Sequence, residues 1–406
     1  MPTPEQHALL SASSADRWLH CPASVRLCES VPDETSPYAE EGRLAHSLGE
    51  LKLRKKYLVG VGPKAYEKAV KKIEAHELYQ PEMQWCTDEY VSVVDAIVET
   101  STEHQMWLEE RVDYSSYAPG GFGTSDCTIL AYNAYEQQAV LHVVDYKNGK
   151  GVPVGAEDNP QLKLYALGAY LKIKSEDELN ALLYGATVRQ IDVIGLHVCQ
   201  PRSAEGSSDY TLTVDDLLHW AETVVKPTAQ VAYEGGTACV PGHWCKSHFC
   251  PIRSTCRSRA KHVLAVMFDD RALADKKTLS PDEIGELLSL TEELPSWLKG
   301  LRTEAWKMAQ SGTAIPQFKL VRGRADRRWK DEKAAWKALA ENDIPEFVET
   351  KMLSPAAVEG KVGKERFQEL FGSLVEKPDG APTLVPESDR RRPVNDVLDS
   401  IVKEGI

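Results

Sequence analysis

Two short stretches, Thr128 to Tyr132 and Val140 to Tyr146, are rich in β-branched and aromatic residues and are separated by a polar turn, which predicts two adjacent antiparallel strands. Upstream, Tyr38 to Tyr57 places Leu44, Leu48 and Leu51 along one helical face, and Met83 to Glu103 does the same with Val91, Val94, Ile97 and Val98. Trp107 to Tyr114 reads as a strand, and Ala118-Pro-Gly-Gly121 as the turn that leads on to Gly123. A helix is expected over Asn159 to Tyr170, then strands over Ile191 to Cys199 and near Tyr210 to Val214. A last helix, Asp215 to Tyr233, closes at Glu234-Gly-Gly236. Near the start, Ser11, Ser13 and Ser14 are cap candidates for a short helix that stops at Cys21-Pro22. Far downstream, Ser280-Pro-Asp-Glu283 is a capping box opening a helical stretch that Pro295 should kink or split and Gly312 should end. Helices alternating with strands in this order point to an α/β core.

At 406 residues the chain suits one large domain with additions, or two domains. The composition shifts near Lys261, dividing residues 1–260 from an accessory α+β region, residues 261–406. No run approaches the ~18 apolar residues of a membrane span, and Met1 to Leu10 lacks the basic-then-apolar pattern of a secretory signal. A formal charge of -13 argues against a wholly basic nucleic-acid coat, so any DNA contact needs a local patch. Nine cysteines without a signal suggest a reducing compartment, the cytoplasm of a bacterial host, and metal binding before disulfides.

The chemistry concentrates between Gly123 and Tyr165. On the predicted strands Asp145 and Lys147 point to one side and Tyr146 to the other, and Asp126 at the head of the preceding strand can approach Asp145. Two carboxylates aimed at one point suit a hard cation such as Mg²⁺ or Mn²⁺. A lysine beside them can orient a water or stabilise charge on a phosphate. Gln161 and Tyr165 lie one turn apart on the helix that follows. A lone Asp-x-Lys is usually an exposed ion pair; order and spacing together carry the signal.

Asp126, Asp145-Tyr-Lys147 and Gln161/Tyr165 resemble the motifs of the PD-(D/E)XK nuclease superfamily, in particular its RecB-like branch. The resemblance implies a restriction-endonuclease-like core, a mixed sheet flanked by helices, and Mg²⁺/Mn²⁺-dependent hydrolysis of DNA phosphodiesters, exonuclease action included. It implies that His46, in Gly42-Arg-Leu-Ala-His46, completes a metal shell with Asp126, Asp145 and the backbone carbonyl of Tyr146. Glu110 stands where an accessory acidic residue is found in that family.

A branch of these nucleases, AddB and CRISPR-adaptation nucleases among them, holds a 4Fe-4S cluster with one cysteine before the core and three after it. Cys21, Cys245, Cys250 and Cys256 match those positions. The spacing departs from the family's Cys-x-x-Cys, so Cys239, His243 or His248 could substitute, and Zn²⁺ could replace the cluster. The opening Ser-x-Ser-Ser…Arg17-Trp-Leu-x-Cys21-Pro-x-Ser24 is also similar to an uncharacterised phage and prophage nuclease family. That implies a replication, recombination or repair setting, with DNA, and a phage single-strand-binding or annealing protein, as partners, and oligomerisation left open. Arg322, Arg324, Arg327, Arg328 and Trp329 form the densest basic cluster with an aromatic, a candidate DNA grip. The lysines between Lys52 and Lys72 are the alternative. Two other readings stay open: an inactive DNA-binding or assembly subunit with a structural metal site, and a zinc-stabilised structural protein.

Overall fold

A computed structural model describes residues 8–31, 37–58, 60–135, 138–150, 153–184, 190–203, 206–247, 249–267, 281–291, 294–318, 363, 366 and 368. The chain forms two compact units, Met1–Asp269 with Glu293–Lys307, and Asp270–Glu292 with Met308–Ile406. The arginine cluster with Trp329, the Arg390–Arg392 run and His248 lie outside the described residues.

In the first unit, a single 3₁₀ turn, Ala12–Ser14, leads into α1 (Ala15–His20) and α2 (Ser24–Cys28). Helices α3 (Pro37–Tyr57), α4 (Pro63–Glu74) and α5 (Glu82–Glu99) follow. The strands are β1 (Glu103–Asp113), β2 (Phe122–Asn133) and β3 (Gln138–Tyr146). Helix α6 (Pro160–Tyr184) precedes β4 (Ile191–Cys199) and β5 (Ser208–Thr213). Helices α7 (Val214–Trp220) and α8 (Lys226–Glu234) run on through a π turn at Ala221–Val225, and Gly235 at φ 75° ends them. The short α9 (Trp244–Ser247) and α10 (Arg257–Met267) complete this run. Farther on, α11 (Pro281–Thr291) opens on its proline as the capping box predicted, and α12 (Leu294–Gln310) holds Pro295 in its first turn.

The five strands among the described residues form one mixed sheet in the order β1-β2-β3-β4-β5. Only β3 and β4 pair in parallel. A parallel pair needs a crossover, and α6 supplies it, lying across one face of the sheet. There Leu141 and Val143 of β3 and Ile194, Leu196 and Val198 of β4 join Leu162, Leu164 and Leu167 of α6 in one buried cluster. The alternate residues, Val144 and Tyr146 with Cys127 and Ile129, pack with α3 and α5 on the opposite face. Burying a side chain of this size is worth about 1.5–3 kcal/mol, so the two-faced burial fixes the register of β3.

Two helical faces differ from the periodic reading. On α3 the buried positions are Ala45, Leu48, Gly49 and Leu53, and Leu44 and Leu51 are only half-buried. On α5 Met83, Cys86, Tyr90, Val94 and Ile97 are buried, and Val91 and Val98 lie at the edge. A count of aliphatic residues shifts both stripes, because glycine, cysteine and tyrosine fill the centre of the contact.

Candidate metal centre and cysteine pocket

The end of β3 carries Asp145, Tyr146 and, in the next position, Lys147. Alternation puts Asp145 and Lys147 on the α6 side, where Lys147 Nζ lies 2.8 Å from Asp145 Oδ2. Asn159 caps α6, accepting from the backbone N–H groups of Gln161 and Leu162, which fixes the first turn of the helix beside the strand end. Lys147 Nζ donates to Gln161 Oε1 at 3.3 Å. Gln161 Nε2 reaches Asp145 Oδ1 at 3.4 Å and the Tyr165 hydroxyl at 3.0 Å. On β2, Asp126 sits opposite Asp145, and its Oδ2 accepts from the Tyr146 N–H at 2.8 Å. His46, from the middle of α3, places Nδ1 3.3 Å from Asp126 Oδ1. Five residues read from short-range spacing and one from a distant helix thus meet in a single chain of contacts.

Charge in this group is unevenly distributed. Burial opposes ionisation of Asp145, the Asp126 carboxylate adds repulsion, and Lys147 only partly compensates, so the Asp145 pKa is raised. Burial acts on Asp126 in the same sense, but His46 and Lys147 outweigh it and its pKa is lowered. Burial opposes the Lys147 ammonium too, yet the two carboxylates overcome it and raise its pKa. His46 follows the same logic: burial is outweighed by Asp126, and its pKa rises.

Glu109 is the residue that periodicity misses. Glu110, the expected accessory acid, instead pairs with Lys172 of α6. Glu109 takes φ 50° inside a strand, a left-handed conformation rare for this residue type. One atom each of His46, Glu109 and Asp126 lie within 4.8 Å of one another. Glu109 keeps an exposed flank, yet the packing around its carboxyl, with repulsion from Asp126, pushes it up to about 7. A strained backbone that adds a third ligand-type group to a carboxylate site is the kind of cost that functional sites retain.

The surroundings hold the strand end and α3 together. Tyr146 packs its ring near His46 and Tyr90 and donates its hydroxyl to Asn148 Oδ1 at 3.1 Å. Arg202 Nη1 donates to Glu41 Oε1 at 2.7 Å and to the Asn148 carbonyl at 3.1 Å, tying α3 to the loop after β3. Gly123 makes room for the Tyr165 ring: a Cβ there would come 2.6 Å from Tyr165 Cε1 and 3.2 Å from Ala12 Cβ. Gly123→Ala is therefore expected to destabilise the fold by about 1–3 kcal/mol. A thermal melt matching the wild type would show that the ring yields instead.

On the opposite strand face from Asp145, His142 Nδ1 lies 2.9 Å from His197 Nε2, and His197 Nδ1 lies 2.7 Å from Asp209 Oδ1. Burial and the neighbouring His197 push the His142 pKa down to about 3, so this row is neutral at His142.

The cysteines gather at a second place. Cys21, Cys239, Cys245, Cys250 and Cys256 line one pocket with Arg17, Ser24 and Trp244. Cys239 lies within hydrogen-bond reach of Cys21 and Cys256, and Cys28 of Cys250. Helices α1 and α2 pack on α8 and α1 on α9, which brings the N-terminal cysteines to the later ones. Cys28 had no signal in the sequence beyond its type.

Outside both places, Lys52 pairs with Asp88 and Lys56 with Asp95. On α4, Lys64, Lys68, Lys71 and Lys72 are exposed and form no ion pair among the described residues, while Tyr66, Val70 and Ile73 turn inward. No helix among the described residues is long and apolar enough to cross a membrane.

Solved structures similar to this chain include that of SSO0001, 13% identical, covering 60% of this chain and 96% of that chain with a TM-score of 0.22. Another is a "Putative exonuclease" from Eubacterium rectale, 12% identical, covering 68% of this chain and 92% of that chain with a TM-score of 0.27. In sequence, residues 7–392 match a single family pattern, and the chain accordingly belongs to the family described as "Protein of unknown function (DUF2800)".

Proposed function

We propose that this protein is a metal-dependent DNA nuclease of the PD-(D/E)XK superfamily, RecB-like branch, acting as an exonuclease in DNA recombination, replication or repair. The observation that carries the reading is the convergence of Asp126, Asp145, Lys147, Gln161 and Tyr165 with His46, from four separate elements, at contacts of 3.4 Å or less. What supports a Mg²⁺ or Mn²⁺ ion is the donor set, an imidazole and carboxylates: one atom each of His46, Glu109 and Asp126 lie within 4.8 Å of one another. By the resemblance His46, Asp126 and Asp145 with the Tyr146 carbonyl would hold it; Glu109 lies with His46 and Asp126 and offers a further carboxylate. Bound there, such an ion lowers the pKa of a water and neutralises charge on the scissile phosphate.

The chain's own groups divide the remaining work. Lys147, whose ammonium its two carboxylate neighbours favour, would orient or activate the attacking water beside the phosphate. Gln161 holds Lys147 and Asp145 in place and is itself fixed by Tyr165. The lysine row of α4 offers phosphate contacts in an otherwise acidic chain. The arginine cluster with Trp329 remains a proposed DNA contact on its sequence alone.

For the cysteine pocket we favour a 4Fe-4S cluster held by Cys21, Cys245, Cys250 and Cys256, closing the nuclease domain. What supports a metal centre there is that these four cysteines line one pocket together with Cys239.

The decisive experiment incubates end-labelled single- and double-stranded DNA with the protein in Mg²⁺, Mn²⁺ or EDTA. Cleavage that depends on the cation supports the reading. DNA binding without cleavage under any cation would leave the inactive DNA-binding subunit in its place.

A further inference from the structure

Two polar atoms in the cysteine pocket have no partner among the described residues. Ser24 is 2% exposed, and its Oγ is buried without a hydrogen bond. Arg17 Nε is buried and unpartnered as well. Both residues stand on the wall formed by Cys21, Cys239, Cys245, Cys250 and Cys256. Leaving such a donor unsatisfied costs about 1–3 kcal/mol, and folded proteins rarely keep one without something to bond. Neutral thiols answer that need poorly, because their sulfur is a weak acceptor. Thiolate or sulfide in a metal centre is anionic, and hydrogen bonds to an ionised acceptor are roughly twice as strong.

Local backbone geometry ties both donors to Cys21. Its N–H donates to the Arg17 carbonyl at 2.9 Å, one turn along α1, and its carbonyl accepts from the Ser24 N–H at 2.9 Å. Of the Arg17-Trp-Leu-His-Cys21-Pro-Ala-Ser24 phrase, Arg17, Cys21 and Ser24 thus line one pocket.

We propose that Arg17 and Ser24 are positioning donors for the cysteine-bound centre, with Arg17 Nε–H and Ser24 Oγ–H bonded to its sulfurs and the guanidinium offsetting its negative charge. The inference rests on the iron–sulfur reading above and adds to it the groups that stabilise the centre and set its potential. Removing a hydrogen-bond partner of a metal ligand typically costs 10–100-fold in affinity. Removing a positive charge makes reduction harder, since the reduced centre is the more negative form.

The test uses full-length protein purified without oxygen, as wild type, Arg17→Gln, Arg17→Lys, Ser24→Ala and Ser24→Thr. Iron and zinc per chain, loss of visible absorption to a ferrous-iron chelator, and the reduction midpoint are measured on each. Iron loss about tenfold faster is expected in Arg17→Gln and Ser24→Ala, with a more negative midpoint in Arg17→Gln. Arg17→Lys and Ser24→Thr should recover most of the wild-type behaviour. A role for Arg17 in packing alone would leave the midpoint where it was. Wild-type rates and midpoint in Arg17→Gln and Ser24→Ala would overturn the inference and leave the cluster reading standing. Zinc without iron, or no metal at all, in the wild type would overturn both. Were Arg17→Gln not to fold, Ser24→Ala, a one-atom deletion, decides by the same criterion.

Discussion

Asp145→Asn is expected to abolish DNA cleavage while raising the melting temperature of the metal-free protein. Loss of activity should exceed about a hundredfold, because even a hydrogen-bond partner of a metal ligand is worth 10–100-fold and Asp145 is proposed as a ligand itself. The stability change follows from the raised Asp145 pKa. A carboxyl that the folded state prefers protonated lowers stability as pH rises from its ordinary pKa through its folded one, so at neutral pH the ionised group is a net cost. Asparagine keeps the shape and removes the charge. Asp126→Asn should be equally inactive but less stable. The Asp126 pKa is lowered, so its ionised form contributes stability above the ordinary carboxyl pKa, which is lost as pH falls through the folded value. Melting curves in EDTA read both changes, and end-labelled DNA with Mn²⁺ reads activity. Wild-type cleavage by Asp145→Asn would remove it from the site. A fall in melting temperature for that variant would mean that its ion pair with Lys147 outweighs the repulsion from Asp126.

Cys21→Ser and Cys250→Ser should each lose iron and visible colour completely, although the two residues lie far apart in the chain. Both should also melt earlier. A centre that links Cys21 to Cys245 closes a very long loop, and in the chain-entropy account such a closure is worth about 5 kcal/mol. A loss of that size lowers the melting temperature by on the order of 10 °C. Cys28→Ser is the control: it lies beside Cys250 but is not among the proposed ligands, so colour should persist. Colour kept in Cys21→Ser and lost in Cys239→Ser would hand the fourth ligand position to Cys239, which lies beside both Cys21 and Cys256. Stoichiometric zinc in colourless wild-type protein would remove the cluster.

Element type was legible wherever a local period repeats. The alternation in Val140 to Tyr146 predicts β3, and because a strand shows every second side chain to one face, Asp145 and Lys147 had to emerge together. The helical interval between Gln161 and Tyr165 placed those two on one side of α6 in the same way. Proximity between distant segments has no such local rule, and only the tertiary structure decided it. Glu109 displaced Glu110 at the site because a left-handed φ breaks the strand's alternation, which no spacing announces. The His142–His197–Asp209 row depends on the register of three strands, one pair parallel and one antiparallel. Cys28 and Cys239 joined the other cysteines through the packing of α1 and α2 on α8 and of α1 on α9. Arg17 and Ser24 could be seen in sequence as neighbours of Cys21. That their polar atoms are buried and unpartnered on the cysteine wall is a property of the packed chain, since burial turns an ordinary donor into one that needs an acceptor.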